Sequence, residues 1–396
     1  MRLGWLTGGL VWILTACSPI PSPQPPVIPH IHETAWGVES VVAEAPVFHP
    51  PAFISDQTGF IAATFTADNE AWRLRLYHND QPIETSITAS NPYALQMYPA
   101  SDGGMFAVWL DYTGGRASQL YVAHLKKNGN SELGAVLVTD APAVRVSATP
   151  LPNGGLWLVW STALIPESVL MVSQIDAVGR PRIPLRLTNN ADYPALMRTD
   201  GRTWVYWLAA TDRSLHRAEL TDGQTLHDIT RLTDGIPLES GDVLSHLSIG
   251  ADTTHAYAFW QVGAQVWWTS GSLTAQEWDS PRRLSISLDA ERPAPQTGFN
   301  SGRVSAVSLN DDAPIQWLLP AVGQSDVLPT SAVWLGSLGI VYWRGGQPFS
   351  GQKIDVAPRL IAPPAIAYDA ERDLALAWWS VLNDTAASLH ITYSRR

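Results

Sequence analysis

The side chains best suited to chemistry in this chain are tyrosines, amides and carboxylates placed just before or just after short hydrophobic runs. Asn91, Tyr93, Asp111, Tyr112, Asn190, Asp192 and Tyr193 are such residues. Asp140, Asp242, Asp289, Glu291, Arg292 and Arg359 stand at comparable places elsewhere. Hydroxyl hydrogen bonds and ring stacking from such a set suit neutral sugars, while its carboxylates suit cationic peptides or Ca²⁺. Asp and Asn are equally good turn formers, so the ligand reading depends on the fold bringing these residues together. His30-Ile31-His32-Glu33 has the spacing of a metal-ligand pair but no further ligand close in sequence, and no metal site is assigned. There is no Gly-x-Ser-x-Gly elbow, His-Glu-x-x-His motif or glycine-rich phosphate loop, so no residue is assigned a catalytic role and no cofactor is expected.

The elements that must position these residues are strands. From Trp36 onward, short β-branched and aromatic runs alternate with Gly, Asp, Asn and Pro turns, and no 3.6-residue periodicity is sustained. Phe106–Trp109, Trp157–Trp160, Trp204–Trp207 and Tyr257–Trp260 repeat an aromatic-ended run at spacings of 51, 47 and 53 residues. Ala375–Trp379 is a further copy, and Ile61–Phe65 a weaker first one. Asp102-Gly103-Gly104, Asn153-Gly154-Gly155 and Asp200-Gly201 supply tight turns before these runs. Third strands follow at Gln119–Leu125 and Val169–Ile175, and fourth strands end near Leu187-Thr188 and Leu232-Thr233.

A period near 50 residues with four strands per unit predicts an all-β propeller of four-stranded blades, in which the aromatic strand fills the layers between blades. Most Trp residues are therefore expected in the core. Seven blades are expected if residues 290 to 356 form one irregular blade with Gly339–Trp343 as its third strand; eight is the alternative. The last blade lacks a fourth strand of its own, and Trp36–Val42 is expected to close it. The candidate residues above then fall in loops that enter each innermost strand or join the second to the third, on one face near the axis. Arg145 and Arg198 fall on innermost strands, and Arg292 and Arg359 begin them, either as paired or solvated charges or as an axial cluster.

The 396 residues carry 18 Trp, one Cys and a formal net charge of −11, a balance that repels nucleic-acid phosphates and anionic headgroups and leaves no cysteine for an internal disulfide. Met1-Arg2 precedes an apolar stretch, Leu3–Ala16, too short to span a bilayer as a helix. It ends in Leu14-Thr15-Ala16-Cys17, which resembles the bacterial lipobox, in which the Cys thiol is acylated. Ser18–Pro29 holds six Pro in twelve residues, an extended spacer of roughly 35 Å. The expected organisation is a signal peptide over 1–16, lipidated Cys17 with a Pro-rich linker over 17–35, and a propeller over 36–396. The resemblance implies an exported protein, lipid-anchored to the bacterial cell envelope on its extracytoplasmic side and touching the membrane through that lipid; a monomer is expected.

Val266-Trp267-Trp268-Thr269-Ser270 running to Trp278-Asp279-Ser280-Pro281, and Val341–Gly346 running to Phe349–Asp355, resemble the hairpins between third and fourth strands in sialidase-like propellers. That family's Asp-box, Ser-x-Asp-x-Gly-x-x-Trp, keeps only its aromatic here, since Gly271, Leu273 and Ala275 stand at the box positions before Trp278. The resemblance implies a degenerate Asp-box propeller, a fold that hosts hydrolases, lectins and scaffolds alike. The family's first arginine lies in an Arg-Ile-Pro motif of the first blade, whereas Arg182-Ile183-Pro184 falls mid-sequence on an expected outer strand. The leading expectation is a non-catalytic recognition or scaffold module for a glycan or an envelope protein. A sialidase-like glycoside hydrolase or lyase is the alternative.

Overall fold

The computed structural model describes residues 30–33, 40–45, 49, 51–56, 58–68, 71–112, 118–163, 167–199, 201–209, 211, 213–234, 244–251, 255–262, 265–272, 278–287, 330–334, 340–344, 350–354, 365–369, 373–383 and 386–393. These residues form strands, turns and loops with no helix, in seven sheets. Two strands come first in the chain, β1 (His30–Glu33) and β2 (Ser40–Ala45). The first sheet contains β3 (Ala52–Asp56), β4 (Gly59–Asp68), β5 (Ala71–His78) and β6 (Gln81–Ile83), with β7 (Thr88–Ala89) also paired to β5. The second contains β8 (Pro92–Pro99), β9 (Met105–Asp111), β10 (Gln119–Leu125) and β11 (Val136–Thr139). The third contains β12 (Arg145–Pro150), β13 (Leu156–Ser161), β14 (Val169–Ile175) and β15 (Leu185–Asn189). The fourth contains β16 (Ala191–Thr199), β17 (Arg202–Ala209), β18 (Leu215–Leu220) and β19 (Leu226–Arg231). The fifth contains β20 (Leu244–Ala251), β21 (His255–Val262), β22 (Gln265–Ser272) and β23 (Arg282–Ser287). β24 (Thr330–Trp334), β25 (Ile340–Arg344) and β26 (Ser350–Ile354) form the sixth, and β27 (Ala365–Asp369), β28 (Asp373–Asn383) and β29 (Ala386–Tyr393) the seventh.

Consecutive strands within each sheet pair antiparallel, and the first strands β27, β3, β8, β12, β16 and β20 are successive neighbours from sheet to sheet. First strands side by side with sheets radiating from them are the arrangement of a β-propeller. Because they are not one hydrogen-bonded sheet, side chains tie them together: Gln96 Nε2 donates to the Val146 carbonyl at 2.9 Å, and Leu196 N–H donates to Ser147 Oγ at 2.9 Å.

The core lies in layers between neighbouring sheets, and the period-2 alternation of each second strand explains why both its faces are apolar. On β9, Met105, Ala107 and Trp109 pack toward the first sheet while Phe106, Val108 and Leu110 pack toward the third. On β13, Leu158 and Trp160 face the second sheet and Trp157 and Val159 the fourth. The repeated terminal Trp thus fills the layer before its own sheet: Trp109, Trp160, Trp207 and Trp260 are all buried there. The turns carry the expected chemistry. Gly103, Gly154 and Gly201 have φ of 78°, 86° and 76°, and the Asp102 and Asn153 side chains accept from Gly104 and Gly155 N–H groups.

The N-terminal contribution to the seventh sheet is Ser40–Ala45, which pairs antiparallel with β29 from Ser40↔Ile391 to Ala45↔Ala387, with a bulge between Val41 and Ala43. The described strand therefore extends three residues beyond the expected Val42, while 36–39 lie outside the described residues. His30–Glu33, read from sequence as the end of a linker, instead pairs parallel with β26, as His30↔Ser350 to Glu33↔Lys353. β25 lies between β24 and β26, so within the described sixth sheet it has a strand on each side.

Candidate ligand site at the N-terminal ends of the first strands

Two first strands begin with the same irregularity. β8 shifts register between Tyr93 and Gln96, with Ala94 at φ 51°, and β16 shifts between Asp192 and Ala195, with Tyr193 at φ 55°. Such bulges re-aim side chains at sheet ends. They fall at Asn91-Pro92-Tyr93-Ala94 and Ala191-Asp192-Tyr193-Pro194, so a tyrosine stands at each bulged corner.

In the first corner, Asp111 is buried, and its two oxygens accept from Ser90 N–H at 2.9 Å and Asn91 N–H at 2.7 Å. Both carboxylate oxygens thus hold the loop that leads into β8. Tyr112 N–H donates to the Asn91 carbonyl at 3.1 Å, and the residue is 42% exposed. The half-buried Tyr93 donates its hydroxyl hydrogen bond to Ser118 Oγ, across the loop joining the second and third strands. Burial raises the Tyr93 phenol above its usual range; the Ser118 bond lowers it, and the Asp111 charge raises it further.

In the second corner, Asp192 is only 1% exposed and is compensated from two sides. Its Oδ1 accepts from Tyr193 N–H at 2.7 Å, and its Oδ2 accepts from Arg145 Nη1 at 2.6 Å. Arg145 Nη2 donates to the Tyr193 hydroxyl at 3.1 Å, and the guanidinium carbon lies 4.0 Å from the ring centroid. Arg145 keeps 29% of its side chain in solvent, and its guanidinium is held in place by a buried carboxylate. Burial raises the Tyr193 phenol, with Arg145 opposing, so the hydroxyl stays neutral at ordinary pH. Asn190 is exposed with φ 51° and forms the turn just ahead of this corner.

The structure therefore brings together Arg145, Asp192 and Tyr193 in one cluster, and Tyr93, Asp111 and Tyr112 in another. Cys17, Asp242, Asp289, Glu291, Arg292 and Arg359 lie outside the described residues. Sequence reasoning placed Arg145 on an innermost strand but named no partner for it. Its opposite charge, Asp192, is 47 residues away, and only the adjacency of β12 and β16 joins them. Among the described residues, no three His, Cys, Asp or Glu side chains converge as metal ligands. A separate groove of about 360 Å³ lies at the outer edge between the seventh and first sheets, lined by Val42–Ala45 together with Arg75, Tyr77 and Glu84. It contains none of the candidate residues.

No protein-family model matches this chain, and no curated protein matches it. Solved structures do resemble it at low identity. A polysaccharide lyase, Uly1, aligns with TM-score 0.52 and 8% identity over 87% of this chain and 90% of its own. A protein of unknown function from Dyadobacter fermentans aligns with TM-score 0.47 and 14% identity over 90% of this chain and 99% of its own. A thermostable family-43 glycoside hydrolase aligns with TM-score 0.36 and 8% identity over 58% of this chain and 87% of its own. The likeness to the lyase bears on fold alone.

Proposed function

We propose that this chain is a lipid-anchored cell-envelope propeller of seven blades, closed by its N-terminal strand, that recognises a glycan or an envelope protein without chemically altering it. The observation that carries this reading is the Arg145–Asp192–Tyr193 cluster. A buried carboxylate orients the guanidinium of a partly exposed side chain, whose remaining N–H donors suit an acceptor oxygen of the ligand. The exposed residue Tyr112 adds an aromatic ring on which a sugar ring can stack. Anchoring at Cys17, an extracytoplasmic address and a monomeric state belong to the same proposal, with no cofactor required.

A second reading, a glycoside hydrolase or lyase, is favoured by the fold shared with an enzyme named as a polysaccharide lyase. An immobilised glycan array probed with the full chain in detergent micelles separates the two. Each glycan is read for bound protein and then for change in mass. Binding without mass change, lost in the Arg145→Ala variant, supports recognition; cleavage overturns it in favour of the enzyme. If neither channel responds, the glycan reading falls and a protein partner is left.

A further inference from the structure

The chain is strongly acidic overall and has only three Lys, yet two of them, Lys126 and Lys127, lie in the hairpin between β10 and β11. The next hairpin, between β14 and β15, adds Arg180, Arg182 and the neighbouring Arg186. All five cations are exposed. Only two carboxylates share these segments. Glu132 pairs with Lys126, and Asp176 accepts from Val178 and Arg180 N–H groups in its own turn. None of the three guanidinium groups has a carboxylate partner among the described residues.

The two hairpins adjoin. Gly179 sits against His124 of β10, where a Cβ would come within 3.1 Å of the His124 Cβ. Lys126, and more distantly Arg180, hold the Glu132 carboxyl below its usual range. The second hairpin is also firmly built: Arg182 N–H donates to the Gln174 carbonyl at 2.8 Å, and Ser173 Oγ donates to the Arg182 carbonyl at 2.7 Å. From this fixed backbone Ile183 projects 81% exposed, with Leu185 at 41% and Val178 at 38%. Arg182-Ile183-Pro184, read from the sequence as part of an outer strand, instead lies in the surface hairpin that precedes β15.

We propose that these two hairpins form a second membrane contact, docking on a surface of anionic lipid headgroups, beyond the N-terminal attachment that the sequence implies. The cations match the charge of such a surface, each contributing attraction that salt screens. The aliphatic side chains between them supply what a headgroup layer accepts and a hydroxylated sugar does not, an apolar tip for the acyl boundary. The sheet topology adds direction. The hairpin between β14 and β15 lies at the same end of the third sheet as the Leu151–Gly155 turn, where a Cβ on Gly154 would come within 3.4 Å of the Ala177 Cβ. Arg145 opens β12 at the opposite end. Docking by the hairpins therefore turns the Arg145 cluster away from the bilayer.

The test uses the full chain on phosphatidylcholine vesicles with and without phosphatidylglycerol. An Ile183→Cys variant and, on the opposite face, a Tyr112→Cys variant are reacted with a membrane-impermeant maleimide. The parent chain corrects for any labelling at Cys17. Labelling at position 183 is expected to slow severalfold only on the anionic vesicles, and to recover in high salt and in an added R180E/R182E/R186E background. Labelling at position 112 is expected to stay constant. Equal rates at 183 on both vesicles overturn the proposal. Protection at 183 by a soluble acidic polysaccharide but not by vesicles also overturns it and assigns the surface to that polymer. An unchanged melting temperature in the charge-reversed variant shows that its effect is not unfolding.

Discussion

Arg145 and Asp192 illustrate how a single buried charge sets the character of a residue pair. A carboxylate with 1% exposure is tolerated because Arg145 and the Tyr193 N–H both serve it. Replacing Arg145 with Ala leaves that carboxylate buried with one partner fewer. A loss of about 2 kcal/mol in urea unfolding is expected, reduced from the fully buried case because Arg145 is partly solvated. Adding Asp192→Asn should restore most of that loss, since the uncompensated charge is then gone. His49 supplies the pH dependence at this scale. Its ring lies tilted against Trp72 with centroids 4.2 Å apart, and burial lowers its imidazole to about 4 from an ordinary 6.5. A depressed histidine binds its proton more readily when unfolded, so its contribution is complete above pH 6.5 and lost as pH falls toward 4. The loss amounts to about 3 kcal/mol at its limit. His49→Gln should flatten the difference between urea midpoints at pH 7 and pH 4.5 relative to the parent chain.

Among the elements, the hairpin that leads from β22 to Trp278 shows what replaces an Asp-box here. Thr269 Oγ1 donates to the Asp279 carbonyl at 2.5 Å, Asp279 N–H donates to the Ser270 carbonyl at 2.9 Å, and Trp278 N–H donates to the Leu232 carbonyl at 3.0 Å. Trp278 is buried against Tyr206 with ring centroids 5.8 Å apart. A Cβ on Gly271 would lie 2.2 Å from Trp278 Cδ1, so the box position holds glycine because the indole fills its space. Gly271→Ala is expected to cost about 2 kcal/mol by overpacking, read as a lower melting temperature with the indole fluorescence shifted to the red. The second strands were legible because their aromatic runs are apolar on both faces. The bulges at Tyr93 and Asp192 were not, because a register shift depends on which strand is the neighbour.

At the scale of the whole molecule, the seventh sheet joins β2, from early in the chain, to the C-terminal strands. β2 covers the outer edge of β29, and Tyr393 donates its hydroxyl hydrogen bond to Asp80 Oδ1 of the first sheet at 2.6 Å. Deleting Ser40–Ala45 should expose the backbone donors and acceptors of β29 as an unpaired edge. Size-exclusion chromatography should then show a shift to larger species than the parent chain forms, with a lower melting temperature. An unchanged elution volume and melting temperature would show that β2 contributes nothing to closure. The N-terminal pairing was legible from chain arithmetic, because the last unit ended one strand short. The parallel strand His30–Glu33 was not, since nothing in four residues after a Pro-rich stretch names β26 as their partner.

The sequence by itself determined the strand content, the repeat near 50 residues, the tight glycine turns and the burial of the repeated tryptophans. Each of these is written in local periodicity, because side chains alternate across a strand and a hairpin closes within a few residues. Only the tertiary structure decided that Arg145 meets Asp192 and Tyr193, that both oxygens of Asp111 hold a turn, and that the lysine and arginine hairpins share one surface. Those outcomes depend on which strand lies beside which, a long-range choice made by packing whole sheets against one another, with no local residue pattern to announce it.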